Sequence, residues 1–209
     1  MRTDHLEERR RFISEAFHSL NQPLTGLHCG LEIAVQKPRS EDDYRQRIGE
    51  GIENAGTVLR LVRALRQLVE ATDRGERFGT VGLSMLLSQL KSELEVVAET
   101  AAVGLEVECE CDAQVQGDPG KLMAALGGLA AMEMEGCDPG ARVKIIAKPA
   151  KRQVVLSITA DGTRKSPPDG PAAKLEEIRR HAAFSYLWTV GGDFEVLPAG
   201  IKIKLAATK

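Results

Sequence analysis

The 209-residue sequence has few aromatic side chains, almost no net charge and no long apolar run. Its formal net charge is -2, so it lacks the strong positive charge that attracts nucleic acid or an anionic membrane surface. No apolar stretch approaches the roughly 20 residues that a membrane-spanning helix needs. Residues 1–12 contain no apolar core of the kind found in signal peptides. We therefore expect a cytoplasmic protein that binds neither nucleic acid nor membrane.

The four cysteines show no paired metal-ligand spacing. Two of them, Cys109 and Cys111, lie two residues apart in an alternating run, which places their side chains on one face of a strand. We therefore expect reduced, structural cysteines and no metal site on this chain.

Apolar residues in the first third of the chain follow two heptad series. Seven-residue spacing is typical of helices that pack side by side. Between the series, Ser40 and the three acidic residues after it have the pattern of a helix N-cap. The first series comprises Leu6, Ile13, Leu20, Leu27 and Ala34, with Phe17, Leu24 and Leu31 between them, and the second comprises Ile48, Ala55, Val62 and Val69.

Two long helices joined by a short turn are expected to form an antiparallel hairpin, because a short connection makes neighbouring helices fold back on each other. One hairpin has a thin core. A second copy would bury the remaining apolar face in a dimeric four-helix bundle, whereas the alternative is packing against the rest of the same chain. We therefore predict a homodimer formed through a first domain of residues 1–75.

The pattern after this hairpin combines helices and strands. A leucine-rich helical pattern covers residues 81–101, and period-two alternation typical of a half-buried strand follows over residues 105–111. Asp118 and Pro119 begin another helix, with proline at its favoured first position. Two strands around residues 143–159, a helix near residues 173–189 and a final strand pair follow. Strands grouped with helices on one face predict an α+β second domain, residues 76–209.

The stretch HSLNQPLT at residues 18–25 resembles the H-box of sensor histidine kinases, whose first dimerisation helix carries a phosphorylatable histidine. The order of elements after residue 76 is similar to the Bergerat-type ATP-binding domain of that family, with Asp118 and Pro119 before its first box helix and Gly191 and Gly192 before its last hairpin. The resemblance covers essentially the whole chain. It implies a helical hairpin forming a dimeric four-helix bundle, followed by a degenerate Bergerat-type α/β sandwich.

Pro23 lies inside a predicted helix, five residues after His18. A proline there removes one backbone N–H and crowds the carbonyl of Ser19, so we expect a bend that exposes the His18 imidazole. A neutral imidazole has a ring nitrogen free to attack phosphorus. The resemblance therefore implies a phosphoacceptor role for His18, and the alternative is a solvated histidine beside an accidental proline.

The residues that support ATP chemistry in the family are missing from this sequence. In active kinases the residue after the histidine is an acid, whereas here it is Ser19, which is not a base near neutral pH. The asparagines that hold magnesium and phosphate in the family's box helix are replaced by Gly128 and Met132. Glu133 and Glu135 are then the groups able to contact a metal.

The adenine-binding and lid regions are also degraded. Alignment on Gly162 places Ala160 where the family has its adenine-binding aspartate, and Asp161 is one residue out of register, which reverses its side-chain direction in a strand. The link from Gly162 to the next helix is too short and too rich in proline to wrap a nucleotide. We therefore predict that the chain does not bind ATP.

This combination is similar to the histidine phosphotransferases, which keep the kinase architecture without binding ATP. We predict that His18 relays phosphoryl groups between response-regulator receiver domains, that this chain binds no cofactor, and that Mg²⁺ is held by the receiver. Ser19, Asn21 and Gln22 complete the predicted catalytic group, since Asn21 and Gln22 share a helix face with His18. The predicted receiver-binding residues are Pro23, Leu24, Thr25, Leu59, Arg60 and Arg63.

Two alternatives stay open at this point. One is an ATP-dependent sensor histidine kinase with an atypical nucleotide pocket. The other is a non-catalytic pseudokinase scaffold that binds a receiver. Nucleotide binding distinguishes the first alternative, and labelling of His18 distinguishes the second.

Overall fold

The computed structural model describes residues 2–38, 40–71, 73, 76–166 and 168–208, with side chains described from Phe12 onward. The Leu6 side chain of the first heptad series and the predicted domain boundary at Gly75 lie outside the described residues. The chain divides into two compact units, one comprising Met1–Arg66 with Pro168–Ile178 and the other Gln67–Pro167 with Arg179–Lys209. In the described ranges, no helix has the length and apolar character needed to cross a membrane.

The first unit contains most of the predicted helical hairpin, built from α1 (Arg2–Gln36) and α2 (Glu41–Glu70), and the last turn of α2 from Gln67 onward belongs to the second unit. Ser40 caps α2 as expected, because its hydroxyl accepts a 3.2 Å hydrogen bond from the backbone N–H of Asp43. Gly26 packs against the Asn54 side chain, and Gly51 packs against the Leu27 side chain. These two contacts run in opposite directions along the helices, so the hairpin is antiparallel.

One face of the hairpin is buried within the chain, and the heptad face is largely open. Ala16 and Pro23 of α1 are buried, as are Leu61 and Ala64 of α2. The helix α1 continues through Pro23. Exposed apolar side chains along the two helices include Ile13, Phe17, Leu24, Leu31, Ile48, Ile52, Leu59, Val62 and Val69. Most of them lie on a seven-residue repeat, so the fold of a single chain leaves this apolar surface uncovered.

The second unit contains most of the mixed α/β domain. Its elements in chain order are β1 (Gly79–Gly82), α3 (Leu83–Ala101), β2 (Gly104–Cys109), β3 (Gln114–Gly117), α4 (Pro119–Glu135), β4 (Arg142–Ala150), β5 (Gln153–Asp161), α5 (Gly170–Thr189), β6 (Asp193–Leu197) and β7 (Gly200–Thr208). The first turns of α5, up to Ile178, belong to the helical unit.

Within the described residues, seven strands form one sheet in the order β1-β3-β7-β5-β4-β2, with β6 paired to β7. The β2–β4 pair is parallel, and the other pairs are antiparallel. Alternate residues of β4 and β5 are buried, which follows from the period-two pattern of their sequences. The leucines of α3 and α4 fill the core beside them. The predicted helical hairpin followed by a mixed α/β domain is therefore confirmed.

Asp118 is the N-cap of α4, and Pro119 is its first residue, as predicted. The Asp118 carboxylate accepts hydrogen bonds from the backbone N–H groups of Gly120, Lys121 and Arg77 at 2.9, 3.1 and 2.9 Å. Tyr186 adds its hydroxyl, which accepts a 2.6 Å hydrogen bond from the Asp118 N–H. The buried Asp118 carboxylate therefore caps α4, the helix that carries the predicted box residues.

Four details differ from the sequence prediction. The strand β2 ends at Cys109, so Cys111 of the predicted run 105–111 lies beyond it. Val81 lies in the short strand β1 instead of beginning a helix, because α3 starts at Leu83. The strand β3 was not predicted. Alternate positions of it are buried, but four residues are too few for this alternation to be recognised in the sequence. The helix α5 starts at Gly170, three residues before the predicted position.

Candidate functional site

His18 lies on the exposed side of α1, directly after an exposed residue and two residues after a buried one. Phe17, directly before it, is 56% exposed, whereas Ala16 is fully buried. This places His18 at the edge of the apolar face, as the heptad pattern predicts. The imidazole is exposed to solvent.

A groove of about 530 Å³ lies beside His18 within the first unit. Its lining includes Ser14, Glu15, His18 and Ser19 from α1 and Lys174 and Glu177 from the first turns of α5. Since Glu15 precedes His18 by three residues, the two side chains share one helix face. The groove therefore places charged groups of α5 next to the imidazole.

Lys174 is the most buried of these charged groups, with 7% of its surface exposed. Its ammonium is 2.9 Å from a Glu15 carboxylate oxygen and 2.8 Å from a Glu177 carboxylate oxygen. It also lies 4.5 Å from the centre of the Phe12 ring. Burial by itself lowers the pKa of Lys174, but hydrogen bonds to Glu177 and Glu15 outweigh that effect and raise the pKa above its usual value. Lys174 is therefore positively charged at neutral pH.

The predicted catalytic neighbours of His18 occupy different positions. The Ser19 hydroxyl donates a 3.0 Å hydrogen bond to the Glu15 backbone carbonyl, one turn back along α1. Asn21 and Gln22 are exposed, three and four residues beyond His18, so their amides lie on its helix face. The site thus has exposed amides three and four residues after His18 and the Lys174 cation in the groove beside it.

The predicted receiver-binding residues divide between the helices. Pro23 is buried, whereas Leu24 and Thr25 are exposed on α1. The Gly26–Asn54 and Leu27–Gly51 contacts fix the register of the hairpin, and counting from them places His18 level with about Leu61 of α2.

On α2, Leu59, Arg60 and Arg63 are exposed near this level. The Arg60 guanidinium donates a 3.0 Å hydrogen bond to the Thr57 hydroxyl, one turn earlier. These two arginines provide positive charge at the height of His18.

In the second unit, none of the four α4 positions considered for metal or phosphate contact carries an unpaired polar side chain. Met132 is buried, and Gly128 has no side chain. Glu133 is also buried and forms an ion pair with Arg164, and Glu135 forms one of 3.2 Å with Arg179. Both carboxylates proposed as metal contacts therefore already have cationic partners.

The strand β5 likewise lacks the family's adenine anchor. Asp161 accepts a 2.9 Å hydrogen bond from the Arg142 backbone N–H at the start of β4, so its carboxylate supports the sheet edge. Ala160 precedes it with an apolar side chain. Only residues 162–169 link β5 to α5.

Sequence reasoning missed Lys174, Glu15 and Glu177. The Lys174–Glu15 contact joins residues 159 positions apart, which no local pattern reveals. A lysine in an amphipathic helix normally indicates a solvated face, since lysine is almost never buried unless paired. The available signal was the spacing of Glu15 and His18 on one face.

No family model matches the chain. It is 23% identical to the sensor protein IrlS of Burkholderia pseudomallei over 154 residues, which make up 73% of this chain and 33% of that protein. The chain thus spans about a third of the length of the curated relative it matches.

Solved structures resemble the chain over most of its length. The histidine kinase AdeS of Acinetobacter baumannii has a TM-score of 0.64 at 16% identity, covering 92% of this chain and 98% of that one. The histidine kinase ThkA, in complex with the response regulator protein TrrA, has a TM-score of 0.71 at 14% identity, covering 100% of this chain and 64% of that one. The chain has the histidine kinase fold.

Proposed function

We propose that this chain is a histidine phosphotransferase that passes phosphoryl groups to and from response-regulator receiver domains through His18. The observation that carries the proposal is an exposed imidazole in a groove that also holds a charged lysine, within a histidine kinase fold. The likeness to ThkA, which was solved with a response regulator, supports a receiver as the partner.

The transfer step needs little from this chain beyond a well-placed nucleophile. A lone pair of a neutral His18 ring nitrogen attacks the phosphorus of the receiver's aspartyl phosphate. A P–N bond forms, the P–O bond to the aspartate breaks, and the aspartate leaves as a carboxylate. The proton on the second ring nitrogen stays in place. The receiver's Mg²⁺ neutralises the charge that moves.

A receiver is a better phosphoryl source for this chain than ATP. Glu133 and Glu135 are paired with arginines, and neither Gly128 nor Met132 has a polar side chain to hold phosphate or magnesium. The missing acid after His18 matters less in this direction, because the receiver supplies the metal and most of the catalysis. These features favour the phosphotransferase over an ATP-dependent kinase.

We propose that the active form is a homodimer. Ile48, Ile52, Leu59, Val62 and Val69 of α2 are exposed at the spacing of two helical seam positions. Extended apolar surfaces of this kind mark protein interfaces. A second copy carries the same heptad surface, so an isologous four-helix bundle buries both faces at once.

The receiver is proposed to dock on the hairpin beside His18. Leu24 and Thr25 of α1 and Leu59 of α2 supply exposed contact surface. Arg60 and Arg63 add positive charge, which complements the acidic pocket where a receiver holds its metal and aspartate.

Transfer of radiolabel from a panel of phosphorylated receiver domains tests the proposal. Wild type should become labelled by at least one receiver, and His18→Gln should stay unlabelled with the same receiver. An Arg60→Glu, Arg63→Glu double variant should slow labelling while keeping His18 intact. Equal labelling of wild type and His18→Gln would place the phosphoryl group elsewhere, and labelling of neither would favour the scaffold alternative.

A further inference from the structure

Lys174 combines burial, charge and an incomplete set of partners beside His18. An ammonium group has three N–H donors. Among the described residues, Glu15 and Glu177 each accept one hydrogen bond from it. Its remaining contact is the Phe12 ring, 4.5 Å away, so the third donor has no oxygen acceptor among these residues.

The position of this cation is fixed by α1. Phe12, Glu15 and His18 recur at three-residue intervals, so Glu15 is a helix neighbour of both Phe12 and His18. The Lys174 ammonium contacts the first two of these side chains, and His18 is the next group along the same groove. A phosphoryl group on the imidazole would share this groove with the ammonium.

We propose that Lys174 binds the phosphoryl group on His18 by donating a hydrogen bond to one of its oxygens, an assignment that rests on the proposed phosphotransfer function. A phosphoryl group adds roughly two negative charges near neutral pH. It is therefore a stronger acceptor for the ammonium than the half-exposed carboxylate of Glu15. Phosphorylation shifts Lys174 from Glu15 toward the phosphoryl oxygens.

Other charged groups near His18 also affect the ionisation of a phosphoryl group bound there. Glu177 on α5 and Glu15 on α1 line the groove with Lys174, and Arg60 and Arg63 of α2 lie near the level of His18. The two carboxylates repel a phosphoryl dianion, and Lys174 attracts it. Removing Lys174 and removing Glu177 therefore have opposite effects on the ionisation of the phosphoryl group.

Phosphorus NMR of the full chain tests this inference. Phosphoramidate is the small-molecule donor: its P–N bond breaks, ammonia leaves, and a new P–N bond to His18 forms without any receiver. The shift of the phosphohistidine signal is then followed against pH. Lys174→Gln should raise the apparent pKa of the phosphoryl group by about one unit, and Glu177→Gln should lower it. Lys174→Arg, which keeps the charge, should restore the wild-type curve.

Lys91→Gln, which removes an exposed lysine of α3, serves as the matched control and should titrate like wild type. Opposite pKa shifts for Lys174→Gln and Glu177→Gln would support the inference, because a general loss of packing would shift both pKa values in the same direction. Identical curves for these variants and wild type would overturn the role of Lys174 while leaving His18 as phosphoacceptor. Absence of any His18 label from phosphoramidate and from receivers would overturn the proposed function together with this inference.

Discussion

Lys174 and Glu15 form a 2.9 Å ion pair between α5 and α1, one helical turn before His18. A double-mutant cycle of Glu15→Gln and Lys174→Met should give a coupling energy of about 0.5 to 3 kcal/mol in the free energy of unfolding, because residues in one ion-pair network are not additive. Denaturant unfolding of the four proteins measures it. Additive changes in the free energy of unfolding would show that the Lys174–Glu15 ion pair is not formed in solution.

The exposed Arg45–Glu41 pair on α2 is a suitable control for that cycle. Its atoms are 2.7 Å apart, but both side chains are more than 70% exposed. Surface pairs at this spacing contribute only about 0.3 to 0.5 kcal/mol. Its coupling energy should therefore be smaller than that of Glu15 and Lys174.

Charge on the exposed heptad surface should abolish the proposed dimer. Ile52 and Val62 are 68% and 48% exposed within one chain, so replacing both with Glu removes little of the chain's own core. Sedimentation should show a monomer with helical circular dichroism retained. In a dimer, the introduced carboxylates of both copies would be buried in the bundle core without partners, which is unfavourable.

Val96 on α3 is 67% exposed and lies outside the hairpin, so Val96→Glu should leave the dimer unchanged. A wild-type protein that sediments as a monomer at micromolar concentration would contradict the dimer. Dissociation caused equally by Val96→Glu would assign the interface to another surface.

Asp118 should make stability depend on pH. Burial alone would raise its pKa, but backbone N–H donors of Lys121, Arg77 and Gly120 outweigh burial and lower the pKa below its usual value. A lowered folded-state pKa stabilises the protein above the unfolded value of about 3.9, and this contribution disappears as pH falls through the folded value. Asp118→Asn should therefore cost about 1 to 3 kcal/mol at pH 7.

The cost should shrink toward pH 2, where the wild-type carboxyl is also protonated. Urea unfolding at both pH values measures the difference. Asp112→Asn, which changes an exposed aspartate, should show little cost at either pH. A constant cost for Asp118→Asn across the range would mean that the charge of Asp118 does not contribute.

The parts of the fold that depend on local chemistry were predictable. The N-cap of α4 requires only Asp118 and Pro119 in sequence, and the hairpin follows from heptad spacing and a short turn. The strand β3 is only four residues long. It is a strand because it pairs with β1 and β7, which are distant from it in sequence.

The candidate site was predictable only in part for the same reason. His18 and its exposure follow from one helix and its heptads. The burial of Lys174 follows from contact with α1 across 159 residues of sequence, so its role depends on tertiary structure.

ATP should not bind measurably at millimolar concentration. Each absent family contact is ordinarily a charge-assisted hydrogen bond or metal ligand, and such contacts contribute about 1.5 to 3 kcal/mol each. Isothermal calorimetry with Mg²⁺ and ATP should show no saturable heat. Magnesium-dependent binding that Glu133→Gln abolishes would instead favour the kinase alternative.

The most direct test compares two phosphoryl donors for His18 in parallel. Purified protein is incubated either with ATP labelled at its γ-phosphate or with a labelled phospho-receiver that transfers in the panel, and the label is followed by its acid lability. Label should come from the receiver alone, should be absent from His18→Gln, and should return to fresh receiver when it is added. Label on His18 from ATP without any receiver would contradict it.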